Sequence, residues 1–319
     1  MLYRCEFRPY RRPFRQPLQT RHGAWTLREG IILRLWDEAG QVSYGEIATL
    51  PWFGTETLAE ALDLCRQQSA VTAAAIAQIP HTLPACQFGF GAAAAQLGQK
   101  PRAEFTAQTI CGLLPTGAEA QTAWQPLWQS GHRTFKWKIG VAEIADELSE
   151  LEKLAEKLPP AAKLRLDANG GLTFEQAQTW LQTCDRLQIE FLEQPLPPDR
   201  LQEMRQLSDR YQTPIALDES VATLKDLKYC YDQGWPGLFV VKAAIAGLPE
   251  PLYQFCQSCR DRLIFSSVFE TPVARQAVLA LVTQLYPEAS SLPYALGFGT
   301  QQWFADSFDS DFEQLWQSL

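Results

Sequence analysis

The sequence KLRLDANGGLTFEQAQTWLQTCDRLQIEFLEQP, residues 163–195, contains one complete unit of the pattern that decides the fold. A short apolar run ends in Asp167, a helical segment extends from Thr173 to Cys184, and a second apolar run ends in Glu193. Strands that alternate with helices in this way pair in parallel, because each helix carries the chain back to the start of the next strand. We therefore predict an α/β fold for this part of the chain.

The same alternation continues on both sides of this unit, from about residue 105 to residue 300. The strand candidates are QTICGLL, TFKWKIG, KLRLDAN, IEFLEQP, PIALDES, LFVVKAA, RLIFSSV and YALGFGT. Eight strands separated by helices predict a closed parallel barrel. An open doubly wound sheet is the alternative, but no G-x-G-x-x-G motif begins any of these helices.

The first 60 residues have a different pattern, typical of strands and turns. The segment GIILRLWDEAGQVSYGEIA, residues 30–48, alternates as a hairpin around the turn at residues 38–40. From Leu58 to Ala77 the periodicity is helical. We predict an α+β domain over residues 1–100, a barrel over residues 101–290, and a last strand and tail over residues 291–319.

Composition excludes several classes of function. The chain has 319 residues, of which 46% are hydrophobic, so it can bury a large core. A net charge of −8 disfavours nucleic-acid binding, and no apolar run approaches the roughly 20 residues of a membrane span. Eight scattered cysteines fit a reducing cytoplasm, and the three histidines are too dispersed for a histidine-based metal site. We expect a small-molecule substrate, with monomer and homo-oligomer both open.

Charged residues recur at the ends of consecutive strand candidates. They are Lys136 and Lys138 in FKWKIG (135–140), Asp167 in RLDAN, Glu193 in FLEQP, Asp218 in ALDES and Lys242 in VVKAA. From Lys138 onward, successive intervals are 29, 26, 25 and 24 residues, each about one strand–helix unit. Because barrel enzymes place their chemistry at the carboxyl ends of the strands, this spacing predicts an active site.

Any one of these residues also has a structural interpretation. A single Asp at a strand end commonly caps a helix, and a single Lys extends to water. Three carboxylates that converge on one point, however, repel each other unless a cation lies among them. Oxygen ligands without imidazole or thiolate suit Mg²⁺ or Mn²⁺. The set of Asp167, Glu193 and Asp218 therefore predicts a metal site with a lysine on each flank.

At these residues the chain resembles the enolase superfamily, in the muconate-lactonizing-enzyme-like subgroup with a K-x-K motif, and within it the o-succinylbenzoate synthase family. The resemblance covers essentially the whole chain, from LQTRHGAWTLREGIILRL (18–35) and YGEIATLPWFGTET (44–57) to SSVFETPVA (266–274) and YALGFGT (294–300). It implies a modified TIM barrel, (β/α)7β, with an N-terminal α+β capping domain that the C-terminal tail completes. Loops near residues 20–23 and 50–54 would help to cover the substrate.

The resemblance also implies a lyase reaction. The family removes water, in the syn sense, from 2-succinyl-6-hydroxy-2,4-cyclohexadiene-1-carboxylate, and it belongs to menaquinone or phylloquinone biosynthesis. Lys138 would be the base and return its proton to the leaving hydroxyl, and Lys136 would tune it by its neighbouring charge. Lys242 would stabilise the anionic intermediate, while Asp167, Glu193 and Asp218 would hold Mg²⁺, with Mn²⁺ also suitable.

Further positions are implied less directly. The resemblance places Asn169 and Glu219 close to the metal or substrate, and Ser266, Ser267 and Arg21 at the substrate.

Two alternative functions remain open at this point. An N-acylamino acid racemase of the same superfamily would use Lys138 and Lys242 as two opposed bases. A non-catalytic binding barrel is the third interpretation. LGFGT (296–300) stands where dipeptide epimerases carry an Asp-x-Asp, and no histidine lies late in the barrel. Both absences favour the lyase with an anionic succinyl arm on its substrate.

Overall fold

The N-terminal part of the chain forms an antiparallel sheet. The computed structural model describes residues 1–20, 23–96, 105–306 and 311–319. The strands are β1 (Leu2–Thr20), β2 (Gly23–Trp36), β3 (Val42–Ile47) and β4 (Ala70–Thr72), in the order β3-β2-β1-β4. The predicted hairpin is confirmed: the amide of Gly40, with φ of +78°, donates to the carbonyl of Asp37 at 3.0 Å between β2 and β3.

The helical segment predicted from Leu58 to Ala77 is interrupted. Its first part begins with a capping box in which the Thr57 side chain accepts from the Glu60 amide and the Glu60 side chain accepts from the Thr57 amide. Residues 70–72 then form β4, because they pair with residues 2–4 at the start of β1. The helices of this part are α1 (Leu58–Arg66), α2 (Ala73–Ala77) and α3 (Pro84–Ala94).

A parallel sheet of seven strands follows and confirms the predicted (β/α)7β barrel. Its strands, paired in chain order, are β5 (Gly112–Leu113), β6 (Thr134–Lys138), β7 (Lys163–Asp167), β8 (Phe191–Glu193), β9 (Ile215–Leu217), β10 (Leu238–Val241) and β11 (Leu263–Phe265). Helices connect them: α4 (Ala120–Gln129), α5 (Ile144–Lys157), α6 (Phe174–Leu187), α7 (Leu201–Ser208), α8 (Leu224–Asp232), α9 (Pro249–Ser258) and α10 (Pro272–Leu285).

The barrel closes through single bridges and not through a full eighth strand. Leu296 bridges to Ile110 beside β5, and Gly297 bridges to Ser266 after β11. The segment predicted as the strand YALGFGT therefore contributes only this short contact on each side. A side chain at Gly297 would meet the Ser266 hydroxyl at 2.6 Å, so close approach of the two backbones requires glycine there.

Side chains alternate between the barrel interior and the surrounding helices, as strand geometry requires. Outward positions such as Leu192, Leu217 and Phe239 join the large core under the helices. Inward positions form a separate apolar cluster, which contains Phe191, Ala216, Leu238, Val240 and Ile264. The charged residues at the strand ends belong to the inward set, two positions further along each strand.

The C-terminal tail returns to the N-terminal sheet, as the resemblance implied. Phe304 bridges to Phe14 of β1 and stacks on its ring at 4.9 Å between centroids. The last helix, α11 (Phe312–Ser318), buries Trp316 in a small cluster with Tyr10 and Ile32. Together with the rest of the fold, these tail contacts place the N-terminal sheet against the barrel.

A buried carboxylate joins the two parts of the molecule. Glu46 on β3 accepts hydrogen bonds from the Tyr10 hydroxyl at 2.6 Å and from the amides of Thr271 and Ala274, at 3.0 and 3.1 Å, where α10 begins. A carboxylate is favourable at a helix N-terminus, where amides lack intrahelical partners. Glu46 therefore fixes the N-terminal sheet to the barrel.

All eight cysteines are buried free thiols. The pair Cys256 and Cys259, at and just past the end of α9, is not bonded, and burial raises the pKa of both thiols. In the parts of the chain that the structure describes, no helix combines the length and the apolar character needed to cross a bilayer.

Candidate active site

Charged side chains follow one another around the carboxyl ends of five consecutive strands. They are Lys136 and Lys138 on β6, Asp167 and Glu193 at the ends of β7 and β8, and Asp218 and Lys242 directly after β9 and β10. Parallel register aligns Lys138 with Asp167 and Asp167 with Glu193, so these residues lie at one height. Because β6 and β10 are four positions apart around the closed barrel, Lys138 and Lys242 start from opposite sides of its mouth.

The carboxylates and lysines form ion pairs. Lys136 Nζ lies 2.7 Å from Asp167 Oδ2 and 2.6 Å from Glu193 Oε1, so one ammonium group is shared by two carboxylates. Lys242 Nζ donates to Asp218 Oδ1. All three carboxylates are buried, with Asp167 at 6% exposure and Glu193 at 2%. The structure thus brings the three predicted metal ligands together with Lys136 and Lys242 through direct contacts.

The crowding of charge shifts the pKa values of these groups. Burial opposes the charge of Lys136, but Asp167, Glu193 and Asp218 outweigh it and raise its pKa well above the usual value. Burial likewise acts to raise the pKa of Asp167, yet Lys136 lowers it overall. For Glu193, burial and then Asp167 raise the pKa to about 8. Burial is also the main cause that raises the pKa of Asp218 to about 6.

Asn169 and Glu219 lie beside this cluster. The Asn169 amide nitrogen Nδ2 donates to Glu219 Oε1 at 3.0 Å, and the Asn169 backbone amide donates to Asp167 Oδ1 at 3.1 Å. Glu219 Oε2 is buried and has no hydrogen-bond partner among the described residues. Burial, followed by the charge of Asp167, raises the pKa of Glu219. The mouth therefore has a fourth carboxylate with an unsatisfied buried oxygen.

The loop at residues 50–54 lies over the mouth. Residues 51–53 form a short 3-10 turn, and the Phe53 ring centroid is 4.1 Å from Lys242 Nζ. Trp52 is exposed, and its ring meets the Trp25 ring edge-on at 4.9 Å between centroids. An aromatic face thus stabilises the Lys242 charge from the side of the N-terminal domain.

The three residues predicted to hold the substrate have different surroundings. Ser266 is half-buried at the bridge that closes the barrel. The Ser267 hydroxyl donates to Glu270 Oε2 at 2.7 Å and accepts from the Phe269 amide at 2.9 Å, so it is engaged in holding a turn. Arg21 lies outside the described residues.

The donor set fits a hard divalent cation. Four carboxylates meet at the mouth, and one of them has a buried oxygen without a partner among the described residues. Carboxylate oxygens suit a hard cation, whereas imidazole or thiolate ligands would favour a softer metal. As the described side chains stand, no three of them surround a point at metal-binding distances, because Lys136 and Lys242 pair with the carboxylates. Metal binding requires the carboxylates to exchange these ammonium partners for the cation.

Sequence reasoning missed two features of the site. The contact of Phe53 with Lys242 joins residues almost 190 positions apart and leaves no local signal. Gln194, which follows Glu193 directly, has a φ of +37° and is completely buried. In the sequence, Gln194 is recognisable only as a polar residue directly after a metal-ligand candidate. That position alone does not show whether the side chain is buried or exposed to solvent.

Two family models match the chain. Residues 3–97 match the family described as MenC, N-terminal domain, and residues 118–310 match Enolase C-terminal domain-like. Together they extend over most of the chain.

Individual relatives are similar over most or all of the chain. An o-succinylbenzoate synthase of Thermosynechococcus vestitus is 42% identical over 325 residues, covering 99% of both chains. Another, from Pectobacterium atrosepticum, is 30% identical, covering 82% of this chain and 80% of the relative. The crystal structure of o-succinylbenzoate synthase from Thermosynechococcus elongatus BP-1, complexed with Mg in the active site, matches with a TM-score of 0.91 at 42% identity over 99% of this chain and 100% of that one.

A more distant structure shares the fold alone. The L-Ala-D/L-Glu epimerase of Bacillus subtilis, in a substrate-liganded complex, matches with a TM-score of 0.79 at 20% identity over 96% of this chain and 91% of that one.

Proposed function

The chain belongs to the o-succinylbenzoate synthase family of the enolase superfamily, and we propose that the charged residues at its barrel mouth perform that family's reaction. The enzyme is a carbon–oxygen lyase of menaquinone or phylloquinone biosynthesis. It removes water from 2-succinyl-6-hydroxy-2,4-cyclohexadiene-1-carboxylate and yields 2-succinylbenzoate, with Mg²⁺ as its cofactor. Formation of the aromatic ring makes the step effectively irreversible.

Asp167, Glu193 and Asp218 would hold the Mg²⁺. Bound there, the ion supplies positive charge that binds the substrate carboxylate and stabilises negative charge as it develops. These carboxylates are paired here with Lys136 and Lys242, which would release them to the cation when it binds. Asn169 and Glu219 support them through the contact between the loops after β7 and β9.

Lys138 would be the base that moves the proton. It ends β6 and is half-buried at the height of Asp167. Lys136, two residues earlier on the same face, is held cationic by its carboxylate partners and places a positive charge beside Lys138. Lys138 would take the proton next to the substrate carboxylate and give it to the leaving hydroxyl on the same face, so that water leaves.

Lys242 would act through its charge. It starts from the opposite side of the mouth and is paired with Asp218 and covered by the Phe53 ring. A cation there stabilises the anionic intermediate without having to exchange a proton. Ser266 is the better placed of the two serines for the succinyl arm, since Ser267 is engaged with Glu270.

We extend the proposal to the organisation of the chain. Residues 1–100 would be the capping domain, residues 101–290 the barrel, and residues 291–319 the closing segment and tail. The eight free thiols support a reducing compartment such as the cytoplasm.

The observation that supports the site assignment most strongly is the sharing of Lys136 between Asp167 and Glu193 beside Asp218 and Lys242. The test is an assay of the purified protein with the cyclohexadiene substrate, following the loss of diene absorbance. We expect turnover that requires Mg²⁺ or Mn²⁺ and yields 2-succinylbenzoate. Binding of the substrate without loss of the diene, in the presence of metal, would contradict the proposal and favour a binding protein.

A further inference from the structure

Gln194 touches the segments that hold all three proposed metal ligands. It is bonded covalently to Glu193, at the end of β8. Its backbone carbonyl accepts from the Gly170 amide at 2.6 Å, in the loop that follows Asp167. Its side-chain Oε1 accepts from the Asp218 amide at 2.9 Å.

The Gln194 side chain uses its whole hydrogen-bonding capacity. Besides the Asp218 amide, Oε1 accepts from the Ser220 amide at 3.2 Å. Its Nε2 donates to the Leu196 carbonyl at 2.9 Å and to the Ser220 hydroxyl at 2.7 Å. Two acceptor and two donor contacts saturate a primary amide, and the residue is fully shielded from solvent. This side chain therefore has one defined orientation.

The backbone of Gln194 is held in an unfavourable conformation. Its φ is +37°, in the left-handed region that residues with a side chain adopt at a cost. Such conformations persist where the surrounding contacts fix them, and they concentrate at functional sites. Here the left-handed turn directs the amide from the end of β8 towards the loop after β9.

Resting on the metal site proposed above, we propose that Gln194 is the positioning residue that sets the spacing of Asp167, Glu193 and Asp218. The three ligands come from different strands, and Asp218 lies just past the end of β9, beyond the ladder that pairs β8 with β9. Gln194 connects all three ends within a single residue. Without it, Asp218 loses the hydrogen bond that fixes its backbone relative to Glu193, and the carboxylates must be ordered at the moment the cation binds.

The test is a titration of metal-free protein with Mn²⁺, in which electron paramagnetic resonance reports free Mn²⁺. Gln194→Met keeps the length of the side chain and removes its amide group. We expect Mn²⁺ affinity to fall about 10- to 100-fold, as is typical when groups that orient metal ligands are removed. At saturating Mg²⁺, kcat should recover most of its value, while the Mg²⁺ concentration for half-maximal activity rises by a similar factor.

Gln121→Met is the matched control. Gln121 is also a buried glutamine, and its Nε2 donates to the Glu150 carbonyl at 2.8 Å between α4 and α5, away from the mouth. It should lose stability to urea without any change in Mn²⁺ affinity. A purely structural role for Gln194 would give the same result as this control.

Gln194→Asn decides the question if the methionine variant does not fold. Asn tolerates a positive φ better, so it relieves the backbone, but it is one methylene too short to reach the Asp218 amide. We expect weakened Mn²⁺ binding here too. Wild-type affinity in a folded Gln194 variant would overturn the inference, whereas failure of the wild-type protein itself to bind Mn²⁺ would instead overturn the proposed metal site.

Discussion

The barrel interior holds two groups of buried charges, one at its mouth and one nearer its floor, and they are built differently. At the floor, the guanidinium of Arg165 pairs with Glu190, donates to the Ala295 carbonyl at 2.8 Å, and lies over the Phe191 ring at 4.8 Å. Lys163 Nζ lies 3.0 Å from Glu190 Oε1, an ion-pair contact without hydrogen-bond geometry. At the floor, one buried carboxylate, Glu190, thus faces two cations, the buried Arg165 and the exposed Lys163.

At the mouth, at the carboxyl ends of the same strands, the shared group is a cation. Lys136 is divided between Asp167 and Glu193, and the pKa of Glu193 is raised because burial and Asp167 outweigh that one cation. Cations outnumber the carboxylate at the floor, whereas at the mouth the four carboxylates Asp167, Glu193, Asp218 and Glu219 outnumber the three lysines. The excess negative charge at the mouth favours binding of a further cation there, and the floor cluster has no such excess and supports the fold. Substitutions at the two levels should therefore have different consequences.

The largest effect is expected for the proposed base. Lys138→Ala should lower kcat/KM for diene loss on the order of 10³- to 10⁴-fold, since it removes the amine proposed to take the proton. Lys163→Ala at the floor is the control and should keep wild-type kinetics, because a half-exposed ion pair contributes little. Substantial turnover by Lys138→Ala would reassign the base to Lys136 or Lys242.

A substitution at the floor should instead lower stability and leave metal binding unchanged. Glu190→Gln removes the carboxylate that faces Arg165 and leaves a buried guanidinium without its counter-charge. We expect the free energy of unfolding to fall by about 3 kcal/mol. Urea denaturation measures that loss, and Mn²⁺ titration of the same protein should give wild-type affinity. Weakened Mn²⁺ binding with unchanged stability would mean that the floor and the mouth are one functional unit.

A smaller loss is expected for Lys136→Ala. This variant removes the fixed positive charge beside Lys138 but keeps the base, so activity should fall on the order of 10²-fold. Loss of the Lys136 charge should also change the pH profile of kcat/KM. The profile is measured from initial rates across the pH range. An unchanged profile would show that Lys136 acts only by orienting Asp167 and Glu193.

Lys242→Arg should have the smallest effect of the mouth substitutions. It keeps the charge but makes a very poor base, so a lyase that uses Lys138 alone should retain part of its dehydration activity. A racemase with two opposed bases could not. In D₂O, NMR of an N-succinylamino acid should accordingly show little exchange in the enantiomer that faces Lys242. Rapid exchange in both enantiomers would favour racemization as a second activity.

The residues that define the mouth could be predicted because strand periodicity is local. Asp167, Glu193 and Asp218 each end a short apolar run, and one strand–helix unit separates them, so a count along the chain places them together. Features that depend on long-range contacts could not be predicted in this way. Residues 70–72 leave the helical pattern because they pair with β1, and Phe53 reaches Lys242 from another part of the fold.

The same limit applies to Gln194. Its role depends on a left-handed backbone conformation and on amides from two other loops. Neither can be predicted from the local sequence FLEQP. The closing segment is a related case. YALGFGT has the composition of a strand, but only Leu296 and Gly297 form bridges, because the barrel needs just a narrow closure between β11 and β5.

The most direct test of the account is a Mg²⁺ titration of diene loss, starting from exhaustively chelated protein and run in parallel on the wild type and Glu190→Gln. The account predicts no turnover without metal, a saturable return with Mg²⁺ or Mn²⁺, and the same half-saturating concentration in both proteins. Full activity of the chelated wild type, with its metal content confirmed by elemental analysis, would contradict the claim that the carboxylates at the mouth serve a cation.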